Sequence, residues 1–182
     1  IVWSSTTTVP VTNGLFSYML GSSTALTSVD FNQTLYLSVN IGGTGAPAIL
    51  SFGTEAQKKE FVPGAIKREI IFCQGYSEPQ AGSDLASVRT QAISDGDDYI
   101  VTGSKIWTSA AEHADHIFAL VRSDPSAKPQ LGISFLLIDM DDPGVTVEPL
   151  IAFNGKRLWN QVFFDEVRVP KANRLGEEHR GW

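Results

Sequence analysis

An α+β fold, with a short helical N-terminal segment followed by an antiparallel β-barrel domain, is predicted by three features of this sequence. Apolar residues before position 69 recur at helical spacing, and beyond it they alternate with a period of two. The β-rich runs are separated by tight-turn residues, with no helical segments between them. Strands that follow one another without crossover helices argue against a doubly wound sheet and for a barrel or sandwich. The boundary falls near Glu69, giving a partial helical domain over residues 1–68 and a β-domain over residues 69–182.

Residues 1–28 contain twelve Ser or Thr. Such side chains compete for backbone hydrogen bonds, so this stretch is expected to be poorly ordered or divergent. From Asp30, a plausible N-cap, Phe31, Leu35, Tyr36 and Val39 fall at helical spacing up to Gly42-Gly43. Pro47 suits a first helical position, Ile49, Leu50 and Phe52 supply an apolar face, and Gly53 is placed as the stop. Thr54 and Gln57 form a capping-box pair that opens a short helix, which Pro63-Gly64 is expected to close.

The strands predicted next are 70–76, 87–94, 99–102, 105–108, 116–122, 132–140, 145–149 and 160–169, all rich in β-branched and aromatic residues. Asp95-Gly96-Asp97-Asp98 and Gly103-Ser104 read as turns between them.

Charge and composition exclude several classes. With 182 residues, 42% of them hydrophobic, the chain can bury one sizeable core. A net charge of -6 provides no basic field for a nucleic-acid backbone or an anionic membrane surface. The longest apolar run, Leu131 to Ile138, is far short of the roughly 20 residues that span a bilayer. A lone Cys73 forms no internal disulfide and suits a reducing compartment. The sequence begins at Ile1 and stops at Gly181-Trp182, so a piece of a longer protein is expected.

Two segments carry candidate chemistry. In Ser77-Glu78-Pro79-Gln80-Ala81-Gly82-Ser83-Asp84, Pro79 fixes one φ angle and Gly82 frees another, so neighbouring N–H groups can converge on phosphoryl or carbonyl oxygens. The bland alternative is a strand-ending loop in which Ser83 or Asp84 caps the next element. In Lys105-Ile106-Trp107-Thr108-Ser109, Trp107 can stack on a flat ligand while Thr108 and Ser109 bond its heteroatoms, or it can simply fill the core. No metal site is expected, because His113 and His116 lie in a loop entering a strand, where a spacing of three does not put both rings on one face. Cys73, in an apolar strand without a partner base, reads as an inert buried thiol.

Taken together these segments resemble the acyl-CoA dehydrogenase family. Tyr76 to Asp84 is similar to its T/S-E-P-x-A-G-S-D turn, and Gly103 to Ser109 to its N-G-x-K-x-W-I/T-T/S strand. Further matches are Phe52 to Lys58, Gly132-Ile133-Ser134-Phe135, Phe163 to Pro170, and Leu175-Gly176-Glu177-Glu178 with Gly181-Trp182. All six run in the family's order. Gln80 departs from the pattern, since many members carry Gly after Glu-Pro, and it restricts that turn.

The resemblance implies the end of an N-terminal helical domain and then the middle β-domain, which binds FAD and acyl-CoA. Carried over by position, Gln74, Tyr76 and Ser77 line the flavin, and Gly82 and Ser83 approach the pyrophosphate, with Ser83 also on the substrate side. Trp107 flanks the isoalloxazine, and Thr108 and Ser109 reach its edge. The implied reaction takes an α-proton and a β-hydride from an acyl-CoA to give a trans-2-enoyl-CoA. Its base is a glutamate beyond this chain, and none of Glu55, Glu60, Glu69, Glu78 or Glu112 matches that location. An electron-transfer flavoprotein as acceptor, a homo- or hetero-oligomer, and a bacterial cytoplasmic or mitochondrial-matrix location are implied in the same way. A non-catalytic partner subunit and an acyl-CoA oxidase are the alternatives.

Overall fold

The computed structural model describes residues 45–182. The loosely ordered start expected over residues 1–28 and the helix expected from Asp30 lie outside those residues. Helix α1 spans Gly45–Phe52 and α2 spans Glu55–Lys67. Thr54 and Gln57 form the expected capping box, with Gln57 N–H donating to Thr54 Oγ1 at 3.2 Å and Thr54 N–H to Gln57 Oε1 at 2.8 Å. The Gln57 amide also donates to the carbonyls of Ala172 and Arg174, at 2.6 and 2.9 Å, stitching this helix start to the end of the β-domain.

Pro63 does not close α2 as expected. It is carried inside the helix, which runs one turn further and ends at Arg68 in the left-handed conformation (φ 61°). Burial of Phe61 and Ala65 on either side offsets the one lost backbone bond.

Eight strands follow: β1 (Phe72–Gly75), β2 (Gln91–Asp95), β3 (Asp98–Thr108), β4 (His116–Arg122), β5 (Ile133–Asp139), β6 (Val145–Ile151), β7 (Arg157–Pro170) and β8 (Arg174–Leu175). They form one mostly antiparallel sheet in the order β6-β7-β3-β2-β4-β5-β8, with β1 added in parallel on β4. The hydrogen-bonded order is an open path ending at β6 and β8, so the sheet does not close into the expected barrel. The expected turn at Gly103-Ser104 is instead a bulge, and the two short strands predicted around it are the single strand β3. Conversely, the strand expected from Ser87 begins only at Gln91, because residues 85–87 form a 3-10 turn.

The sheet separates two cores. On one side Val101, Ile117, Ala119, Val121, Leu136, Ile138, Val162 and Phe164 pack together, and on the other Ile49, Phe61, Phe72, Phe118, Leu120, Phe135 and Leu137 meet the helices. Strict alternation in β4 and β5 feeds both. Among the described residues no helix is long and apolar enough to cross a membrane.

Candidate cofactor site

The two segments singled out above meet in space. β1 leaves the sheet after Gly75, and the chain returns only at Gln91 on β2, so residues 76–90 make an excursion from the sheet edge. Its first corner is hydrogen-bonded to the tryptophan strand, the Ile106 N–H donating to the Ser77 carbonyl at 2.9 Å. Next comes a four-residue turn: Glu78 N–H donates to Ala81 O at 2.8 Å, and Ala81 N–H returns to Glu78 O at 3.0 Å. Pro79 sits at its second position, where a fixed φ suits the turn. Gln80 fits without strain, since it is not among the described non-glycine residues with positive φ. Its amide donates to Glu78 Oε2 at 2.6 Å.

Beyond the turn, Gly82, Ser83 and Asp84 are exposed. Asp84 precedes the 3-10 turn Leu85–Ser87 but makes no side-chain capping bond to it. Gly82 has no positive φ, and a Cβ built there meets nothing within 4 Å. Neither packing nor backbone torsion within the described chain therefore calls for glycine here. The open corner leaves room for close approach from outside.

Trp107 takes a left-handed conformation (φ 63°) at the second irregularity of β3, between the pairings Lys105↔Val162 and Thr108↔Asn160. Simple alternation would put Trp107 on the same face as Lys105. The irregularity separates them: Lys105 is fully buried, Trp107 is 59% exposed, and Thr108 turns inward at 1%. An aromatic residue held at positive φ costs on the order of 1–3 kcal/mol, and such strain gathers at functional sites. Trp159 of β7 braces its ring edge-to-face, with centroids 5.9 Å apart.

The other expected site residues distribute unevenly around this corner. Ser77 is half-buried, and Ser109 and Gln74 are exposed. Tyr76 points its ring into the helix-side core, edge-on to Phe118 at 5.8 Å and Phe135 at 6.0 Å. Thr108 is buried, and its hydroxyl has no hydrogen-bond partner among the described residues. Elsewhere, His116 opens β4 and packs edge-on against Phe61 and Phe72, at 5.2 and 5.7 Å. Cys73 is buried, and desolvation pushes its thiol up to about 12.

Sequence reasoning missed the pair under the turn. Glu78 and Lys105 are 4% and 0% exposed and 2.7 Å apart, and the carboxylate also accepts the backbone N–H groups of Thr90 (2.9 Å) and Arg89 (2.6 Å). Burial alone would raise the Glu78 carboxyl, but the Lys105 ammonium and the bonds from Lys105, Thr90 and Arg89 outweigh it and hold the group below its ordinary value. Burial likewise pushes the Lys105 amine down to about 8, against the raising effect of Glu78. The available signal was a lysine in core register on a strand whose Tyr99 and Val101 already point inward.

The model of the acyl-CoA dehydrogenase middle domain matches residues 73–167, a span that holds both the turn and the tryptophan strand. The chain belongs to the acyl-CoA dehydrogenase family. A second model, a domain of unknown function (DUF8740), matches residues 1–52. Acyl-CoA dehydrogenase FadE29 of Mycobacterium tuberculosis is 44% identical over 139 residues, covering 76% of this chain and 36% of that relative. Two solved structures share the fold. The Tcur3481-Tcur3483 steroid ACAD has a TM-score of 0.75 at 39% identity, covering 81% of this chain and 38% of the other. The ChsE4-ChsE5 complex from Mycobacterium tuberculosis has a TM-score of 0.72 at 43% identity, covering 76% and 35%. The chain thus spans a little over a third of the FadE29 length.

Proposed function

We propose that this chain is the flavin- and substrate-binding part of an FAD-dependent acyl-CoA dehydrogenase that converts an acyl-CoA thioester to a trans-2-enoyl-CoA. Residues 69–182 are the middle domain of that enzyme, and residues 1–68 are the end of its helical N-terminal domain. The observation that carries the reading is the bond from Ile106 N–H to Ser77 O. It joins the exposed corner at Gly82, Ser83 and Asp84 to a strained, exposed tryptophan.

The residues present fit FAD, since glycine at the open Gly82 corner and an exposed ring at Trp107 are needed by nothing within the described chain. When bound, FAD would supply the acceptor for the β-hydride. Trp107 would stack against the isoalloxazine, the Ser77 hydroxyl would donate to its ring, and Gln74, the Tyr76 backbone and Ser109 would border it. Thr108 would contribute from beneath, through a hydroxyl that has no hydrogen-bond partner among the described residues. Gly82 and Ser83 take the pyrophosphate, with Ser83 reaching the acyl-CoA.

The base comes from outside these residues. Glu78, the carboxylate at the corner, is committed to one ammonium and two backbone donors and held in its charged form, which makes it a poor proton acceptor. Electrons leave to an electron-transfer flavoprotein or a similar acceptor. Assembly is with like or related subunits, a reading supported by the similarity to a chain of the ChsE4-ChsE5 complex. That similarity also favours a second reading, a non-catalytic partner subunit that keeps the fold. Anaerobic titration of the complete flavin-loaded polypeptide with acyl-CoA thioesters separates the two. Bleaching of the flavin band supports the dehydrogenase, and a bound but unbleached flavin supports the partner subunit.

A further inference from the structure

Lys105 lies where one edge of β4, the one opposite β5, runs without a strand neighbour. β1 accompanies β4 from Phe72↔His116 to Gly75↔Ala119 and then departs, and β2 reaches the same edge only at Gln91↔Arg122. The Leu120 carbonyl falls in the gap between them and accepts from Lys105 Nζ at 2.6 Å. The other two ammonium N–H groups donate to Glu78 Oε1 at 2.7 Å and to the Tyr76 carbonyl at 3.3 Å, so all three donors are used. Glu78 passes the connection on to Arg89 and Thr90 at the far end of the excursion, and Thr90 Oγ1 donates to the Ser104 carbonyl of β3 at 3.2 Å. One buried ion pair thus ties the beginning of the 76–90 excursion to its end, and both to the strand that carries Trp107.

We propose that Glu78 and Lys105 are a positioning pair that sets the Ser77–Gly82 corner against the Trp107 ring, and through it the geometry of the flavin, without touching cofactor or substrate. The inference rests on the reading of this corner as the flavin site. Apolar side chains could fill the same space at equal or better stability. They could not hold two chain segments and a gap carbonyl at fixed directions.

The test uses the complete FAD-loaded polypeptide and two variants, Glu78→Gln and the doubly neutral Lys105→Met/Glu78→Gln. The readouts are FAD dissociation by flavin fluorescence, the shape of the visible flavin band, and kcat separately from KM. A small displacement of a reacting group can cost about a hundredfold. We therefore expect FAD binding weakened about tenfold or more, an altered band, and kcat falling further than KM rises. A folded double variant with wild-type FAD affinity and band overturns the proposal. Should that variant not fold, the isosteric Glu78→Gln decides alone by the same criterion. Failure of the wild-type polypeptide to bind FAD would instead overturn the functional reading, which keeps the two distinguishable.

Discussion

Replacing Gly103 by Ala should loosen the turn from a distance, whereas replacing Gly82 by Ala should leave the fold intact. Gly103 sits at φ +150°, inside the first bulge of β3, and a Cβ there would lie 2.7 Å from both Thr90 Cα and Thr90 Oγ1 and 2.9 Å from Thr90 Cβ. Thr90 cannot step aside easily. It is 2% exposed, its N–H is held by Glu78 at 2.9 Å, and its carbonyl accepts from Arg122 N–H at 2.7 Å. An unfavourable φ costs roughly 1–3 kcal/mol and overpacking costs a similar amount, so the expected loss is about 2–6 kcal/mol. At Gly82 an added methyl meets nothing within 4 Å, and the cost should stay within about 0.5 kcal/mol. Amide hydrogen exchange of peptides covering residues 76–108 in the complete polypeptide reads both. Gly103→Ala should accelerate exchange there about thirtyfold or more, and Gly82→Ala should leave it unchanged while weakening FAD. Native protection in the Gly103→Ala protein would refute the tight coupling between bulge and turn.

Three further predictions address the same architecture. Trp107→Ala should weaken FAD by about tenfold, the loss of one stacked ring, with little change in thermal unfolding because the side chain is 59% exposed; isothermal titration and a melting curve check the pair. Between about pH 8, where Lys105 releases its proton in the native state, and 10.5, its ordinary value, the unfolded chain holds more protons at this residue. Stability should therefore rise with pH from about 8. Above about 9 the Cys73 thiol, raised to about 12 in the fold, pulls the other way, so urea titrations should show the gain between about pH 8 and 9 and a flattening beyond. A steady fall across pH 8–9 would contradict the buried ammonium. Finally, Cys73 should resist thiol reagents at neutral pH until the protein is unfolded, as scored by mass spectrometry.

The helix start at Thr54 and Gln57 and the strand at 116–122 were legible because local rules and packing agree there: a capping box satisfies its own donors, and β4 alternates between two cores. Pro63 and Gly103-Ser104 misled for one reason. Each reads locally as a terminator, yet burial of Phe61 and Ala65, and pairing of β3 with β7 on both sides of the bulge, outweigh the local preference. Barrel closure was not readable either, since period-two alternation says which face is buried but not whether the outer strands join. At the site, the turn and the tryptophan were visible as motifs. The ion pair beneath them was not, because Glu78 and Lys105 are 27 residues apart and meet only through the gap that β1 leaves on β4. The left-handed turn of Trp107 was equally hidden, because alternation alone would have placed its ring with Lys105.

On the proposed reading, the 77–84 corner and Trp107 form one platform for an isoalloxazine ring. The most direct measurement is a crystal structure of the complete polypeptide with FAD bound. The ring is expected within van der Waals distance of Trp107 and hydrogen-bonded at Ser77, with the pyrophosphate at Gly82 and Ser83. A flavin bound elsewhere on the sheet, with Trp107 facing solvent or another subunit, would contradict it.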